Sequence, residues 1–463
     1  MSAVALALSQ CVALFLGSAA VALLIRWGPG AVASIAGYGY LLGLIAMTLV
    51  LRVMSVVGVD WTFVAPAAVA LIMGAGLLAL NRAWLTQRDL PLAVEPGTRA
   101  SRIAVCLIAV AILAHLGLVA YEALTRPLFP WDASAQWATK ARVWFDAKHI
   151  VPFVDDLTWA RAASNANLYT DAHPTYPATV PLFQTWAALA WGSWDDAVAN
   201  ISWPLTLAAL AAACYGQLRR LRFVPLAAVA VAYAVVSLPF VDVHAALAGY
   251  ADLAISSLLA LSLLGLMQWS RTRSPRDALL TMLCALALPL LKAPGWIWLA
   301  TIAAGFVFSV VPWRVFRVAA ITAALLIIGV LGYSIEVGPV TVLGYVLQGQ
   351  PSGVVNSLIA NLYVFASWHL LWLVVPLLLV ADRKRLLHAS IGPATVTVAS
   401  GAVFLAVVFF FSNAGEEGVE AITTINRAIL HMVPALVCYA AVLVDDLWRL
   451  TGETAPPPAI AAT

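Results

Sequence analysis

The chain reads as an all-α polytopic membrane protein of about thirteen transmembrane helices, with an outer-face loop that contains interfacial helices. Three observations predict this. Of the 463 residues, 63% are hydrophobic and 10% are charged, with a mean hydropathy of +0.95; that leaves too little polar surface to coat a soluble globule. Apolar runs recur from end to end at about the 20-residue length with which a helix crosses hydrocarbon, about twice the length of a barrel strand. Basic or aromatic stretches separate these runs, and none of them is long enough to form a soluble domain.

In order, the runs cover 3–25, 33–53, 61–81, 103–124, 197–217, 224–243, 250–269, 278–291, 295–312, 318–336, 363–381, 390–412 and 428–445. The first begins at Ala3 with no basic residue before it, so it reads as a retained span rather than a cleaved signal. Basic residues set the orientation. Placing Arg82, Arg88, Arg99 and Arg102, the Arg219–Arg222 turn, and the groups around Arg271, Arg314 and Arg383 inside gives an alternating path with 17 basic residues inside and 8 outside. Arg52 dissents, and the inside tail 447–463 is Pro/Ala-rich and reads as disordered.

Thr179–Trp191 is apolar but too short for a span, since thirteen helical residues cover about 20 Å against about 30 Å of hydrocarbon. It is therefore expected to lie along the outer interface, with Trp186, Trp191 and Trp194 in an aromatic belt. Cys11, Cys106, Cys214, Cys284 and Cys438 all fall within apolar runs and read as small hydrophobes. No HExxH, CxxC, Walker loop or nucleophile elbow is present, which removes the signatures of zinc proteolysis, P-loop ATP use and serine hydrolysis. Nothing in the chain calls for a nucleic-acid partner.

The main outer loop, 125–196, holds the first candidates. Asp132 follows a span, flanked by Trp131 and Trp137; in WDASAQWATKARVWF the residues Trp137, Lys140 and Trp144 share one helical face. Asp132 there is either a helix cap or a general base whose neighbour Lys140 or Arg142 holds a phosphate. His173 and Tyr176 sit between prolines, which limit the freedom of the chain. Further on, VDVHAALAGYADLA places Asp242, His244, Tyr250 and Asp252 at one outer turn. A carboxylate opening an apolar span needs a partner or a cation. Lys292 interrupts two apolar runs, and Arg427 and His431 lie at i and i+4 at the start of the last span. On this topology all of these residues share one membrane face, where acid, base and phosphate-binding cations can form a single site.

The strings WDASAQWATKA, HPTYPATVPLFQTW, GYADL, LLKAPG and NRAILHMVP, in that order, resemble the membrane glycosyltransferases of the GT-C superfamily, whose relatives include protein O-mannosyltransferases, aminoarabinose lipid A transferases and RgtA/B/C/D-like enzymes. The resemblance covers about residues 103–446; residues 1–102, with their helices and basic loop, are additional to it. It implies transfer of a sugar, with inversion, from a polyprenyl-phosphate donor to a glycan, lipid or protein acceptor at the outer face of a bacterial inner membrane. It maps the catalytic base onto Asp132. Relatives commonly carry two adjacent acidic residues, whereas Ala133 follows Asp132 here, leaving Asp252 or Asp171 to supply a second carboxylate. Many also have an acidic residue after the lysine, where this chain has Ala293 and Pro294. No cofactor is required, although a divalent cation bridging Asp132 and the phosphate is compatible with the class. The rival expectation is an ion-coupled transporter, because Asp, His and Lys within a membrane also build proton relays.

Overall fold

The computed structural model describes residues 3–81, 98–163, 166, 168–171, 173–342, 345–348, 353–420 and 422–453. Among these the regular structure is almost all helix. The exceptions are two small sheets, Phe153–Val154 parallel to Tyr169–Thr170 and Val340–Val342 antiparallel to Tyr345–Leu347.

Each of the thirteen predicted apolar runs carries a helix, but not each is of spanning length. Among the described residues eight helices are long and apolar enough to cross a membrane, or nine if the bent pair Pro225–Val236 and Pro239–Ala246 forms one span. The other four runs form Val64–Leu80, Pro275–Leu291, Gly295–Val310 and Leu371–Ala381. The last has 11 residues and covers about 16 Å. The helix Trp313–Glu336 has none of its apolar window buried and Arg99–Thr125 only 11%, so both are suited to hydrocarbon rather than water.

The bent pair turns by 62° at Ser237–Leu238. Pro239 lacks an N–H and pushes Leu238 into an extended conformation (φ −65°, ψ 124°), which ends the first helix. The carbonyls freed by the break do not stay bare. Val236 O lies 3.1 Å from Nε2 of His115, and Ser237 O 3.1 Å from Nε2 of His369; a carbonyl only accepts, so both histidines donate.

The helix Asp252–Thr272 forms the centre, with 89% of its apolar window buried. The N-terminal helices Ala3–Ala22 and Ala31–Val56 join the same core: Tyr38 donates to Leu261 O on the central helix, and Arg52 donates to Thr179 Oγ1. That bond gives the dissenting Arg52 its place.

Thr179–Trp191 is helical over the predicted range, but the interfacial expectation fails. Every residue from Thr179 to Ala190 is buried, and the indole of Trp186 donates to Ser9 O. A helix apolar all round gains more from burial on every side than from lying half in water. The segment around Trp137, Lys140 and Trp144 likewise turns that face into the protein. Arg82 and Arg88 of the predicted basic loop lie outside the described residues. So does 454–463 of the predicted tail, whereas 447–453 continue the helix Ile422–Glu453.

The helix ends fall into two groups. One gathers Asp132, Asp252, Lys292, Arg427 and His431. The other gathers Arg220 with Asp277, Arg271 with Leu221 O, Arg273 with Ser309 O, and Arg385 with Asp446. The central helix has 21 residues and a length of about 31 Å, so these groups sit about one membrane thickness apart.

Candidate functional site

Asp132 precedes a π-helical turn, Ala133–Ala138, that leads into the helix Thr139–Ala147. An aspartate in this place ordinarily accepts from the N–H groups of the first turn. Here it makes no cap bond. Its Oδ2 instead accepts from Nη1 of Arg427 at 2.5 Å, across 295 residues of sequence.

Arg427 links that aspartate to a second one. Its Nε donates to Asp252 Oδ2 at 3.1 Å, and its guanidinium lies 4.2 Å from the centre of the Tyr250 ring. A planar fork can serve two carboxylates and an aromatic face at once, which an ammonium cannot do with the same direction. Gly249 sets the turn: its φ of +103° suits glycine, and a Cβ there would come within 2.6 Å of the Ala133 side chain. The Tyr250–Asp252 segment is thereby pressed against the π turn.

The Asp252 side chain is 1% exposed and is held from three sides. Besides Arg427, it receives Lys292 Nζ at 3.2 Å and His431 Nε2 at 2.8 Å, both on Oδ1. The Trp298 indole donates to Nδ1 of His431 at 3.1 Å. An indole nitrogen can only donate, so Nδ1 carries no proton, Nε2 does, and the imidazole is neutral. The two carboxylates are thus matched by one guanidinium and one ammonium, and without that match their burial would cost several kcal/mol per ion.

A second buried pair braces the outer loop. Lys140, 1% exposed, lies 2.9 Å from Asp171 Oδ2 and donates to His173 O at 2.6 Å, while Asp171 Oδ1 accepts from His173 N. The Tyr176 ring stacks on Trp137 at 5.1 Å and on His173 at 4.5 Å. Lys140 is therefore tied to Asp171 and does not stand beside Asp132 as a phosphate ligand; an apolar face spaced i, i+3, i+7 carried it inward. Burial holds its ammonium below the ordinary lysine value, with Asp171 pulling the other way. Burial, and next the Asp132 charge, push the Tyr176 phenol up.

Lys140 links stability to pH. A folded-state value below the unfolded one means that the unfolded chain holds more protons between the two, so this group makes stability rise with pH across that alkaline window. Lys140→Met should remove the rise in thermal unfolding run as a pH series. Leaving Asp171 buried alone should lower stability by about 3–5 kcal/mol at neutral pH, and Lys140→Met with Asp171→Leu should restore most of the loss.

The other predicted residues divide. Trp131 is 78% exposed at the rim and Trp137 is 1% exposed in the stack. Arg142 is exposed and lies about 200° round the helix from Lys140, away from the cluster. His244 is buried, with Nδ1 on Phe240 O and Nε2 without a hydrogen-bond partner among the described residues, its ring 5.5 Å from that of Tyr250. Of three further residues, two carry no signal in the sequence and Asp171 carries one only as a second carboxylate. Trp298 sits in a wholly apolar string, Asp171 figured only as a spare carboxylate, and Tyr345 comes from the small sheet; its phenol is raised by burial first and then by Tyr176 and Asp252.

The donor set does not fit a resident divalent cation. Asp132 and Asp252 both face Arg427, and among the described residues no three His, Cys, Asp or Glu side chains converge to hold a metal. Beside the cluster, a cleft of about 320 Å³ runs between Ala123–Pro130 and Ala246–Ala248, lined mainly by apolar side chains. Comparison with protein-family models, with curated proteins and with solved structures finds no match, so the functional reading rests on the geometry of Asp132, Arg427 and Asp252.

Proposed function

We propose that the protein is a membrane glycosyltransferase that moves a sugar from a polyprenyl-phosphate donor to a hydroxyl-bearing acceptor, with inversion, and that Asp132 is its general base. The observation that carries this reading is the contact of Arg427 with Asp132 in a cluster assembled from distant segments at one end of the bundle. On the same reading that end faces the periplasm of a bacterial inner membrane, and the described helices belong to a GT-C-like span set.

The residues support a division of labour. Asp252, with Lys292 and His431, fixes Arg427 and is a positioning residue. A donor phosphate entering beside Arg427 competes with Asp132 for Nη1, because a phosphate oxygen suits a guanidinium as well as a carboxylate does. The released Asp132 carboxylate then takes the acceptor proton. The acceptor oxygen bonds to the anomeric carbon, the bond from that carbon to the phosphate oxygen breaks, and the polyprenyl phosphate leaves with the electron pair, its charge stabilised by Arg427 and Lys292.

Two further features fit this ligand. His244 Nε2, Gln136 Oε1 and Asn426 Oδ1 are buried acceptors without a partner among the described residues, and Asn426 precedes Arg427 directly in the chain; a sugar supplies hydroxyl donors. The apolar cleft along Leu128 and Leu247 suits the first isoprenoid units. Arg427→Ala should chiefly impair donor use, raising the KM for lipid-linked sugar by about 10–100-fold, the range lost with a charge-assisted bond of about 1.5–3 kcal/mol.

An ion-coupled transporter remains the second reading, favoured by the 62° break between Pro225–Val236 and Pro239–Ala246. Mass spectrometry of envelope glycans and lipid-linked sugars, with and without the protein, separates the two. The transferase predicts an accumulated donor and a missing sugar; an unchanged glycan profile with altered solute uptake would establish the transporter instead.

A further inference from the structure

At the opposite end of the bundle, a cleft of about 480 Å³ opens between the turn Leu24–Pro29, the end of the helix Ser202–Arg220, and the junction of the helices Asp252–Thr272 and Pro275–Leu291. Four guanidinium groups line it, Arg26, Arg219, Arg220 and Arg222, against one carboxylate, Asp277. Two of the four are committed. Arg219 donates to Phe223 O, and Arg220 donates to Gln217 and pairs with Asp277 at 2.6 Å. Arg26 and Arg222 are exposed and have no partner among the described residues.

The backbone at Arg222 sharpens the point. The helix Ser202–Arg220 closes with Phe223 N–H on Leu218 O and Arg222 N–H on Arg219 O, the paired bonds of a Schellman cap. Residue 222 stands at the left-handed position of that cap, φ 71°, where glycine is the ordinary choice. A non-glycine backbone in that conformation is strained, and such strain at a cleft points to function. The central helix ends on a simpler left-handed cap at Arg273, φ 54°, with one bond from Arg273 N–H to Trp269 O; Arg273 packs on Trp269 and donates to Ser309 O. Two helix ends on one side of the bundle thus carry arginine where the backbone favours glycine, and the charge at Arg222 has no partner among the described residues.

We infer that this arginine cleft binds the phosphate of an anionic lipid head group. Its depth fits, since it lies at the far ends of helices of spanning length, where lipid phosphates sit. Its charge fits, since a basic recess between helix ends attracts anionic head groups by roughly fivefold in affinity per arginine. The site is distinct from the Asp252 cluster and does not depend on the transfer reaction.

The full-length protein in neutral detergent, compared with Arg222→Gly and with Arg26→Ala plus Arg222→Gly, provides the test. Glycine suits φ 71°, so the first variant should fold at least as well as the parent, which a melting curve checks. Native mass spectrometry with phosphatidylglycerol should show affinity falling roughly fivefold in the single variant and roughly thirtyfold in the double. Phosphatidylcholine should bind weakly and equally to all three. Equal phosphatidylglycerol binding by all three proteins would overturn the site. If inorganic phosphate alone displaces phosphatidylglycerol from the parent at matching concentrations, the ligand is free phosphate and the lipid assignment falls.

Discussion

Asp132→Asn is expected to leave the protein folded and inserted while reducing sugar transfer by about 100- to 10,000-fold, the usual contribution of a positioned general base. The substitution keeps the shape and an acceptor oxygen for Arg427 Nη1 but takes away the capacity to accept a proton. Since Asp132 makes no cap bond, the π turn Ala133–Ala138 does not depend on its charge. The measurement is turnover of a synthetic polyprenyl-phosphate sugar by purified parent and variant, with circular dichroism and size exclusion as controls for folding. Wild-type turnover by the variant would refute the base assignment. A loss of turnover accompanied by aggregation would leave Asp132→Glu, which keeps the carboxylate, as the deciding comparison: restored activity supports the role and continued inactivity counts against it.

Asp252→Asn should act on stability first. The carboxylate is enclosed by Arg427, Lys292 and His431 with its side chain 1% exposed. Removing its charge strands an ammonium and half of a guanidinium in the protein interior, and breaking a buried pair in this way costs about 3–5 kcal/mol. Thermal unfolding in detergent should shift down accordingly. Arg427, no longer held through Nε, should then lose its aim, so that surviving protein shows a raised KM for the donor along with a lower kcat. Adding Lys292→Met removes one stranded charge and should recover part of the stability without restoring activity. A variant that melts with the parent would show that the network does not brace the site.

The membrane class of the protein was legible from composition and the length of the apolar runs, because a spanning helix must satisfy its backbone internally and clothe itself in hydrocarbon whatever its neighbours are. The runs themselves were legible too, each carrying a helix. Their count as spans was not: hydropathy reports apolar character, whereas Leu371–Ala381 is cut short and the 62° break follows from Pro239. The convergence of Asp132, Asp252, Lys292, Arg427 and His431 could be anticipated only as a shared face, from alternation of the loops.

Which partner each residue takes belonged to the tertiary structure alone. Lys140 and Lys292 both read in sequence as cations free to meet a phosphate, yet one is held by Asp171 and the other by Asp252. Thr179–Trp191 is too short to span and reads from length as interfacial, yet it is buried, because Ala3–Ala22 and Ala31–Val56 close over it. Trp298 gave no signal at all, since its role is to fix the tautomer of a histidine 133 residues away. Hydrophobic transfer is local and additive enough to be read along a chain. Ion pairing and hydrogen bonding depend on direction and on distances of a few ångströms, so they are decided only when distant segments meet.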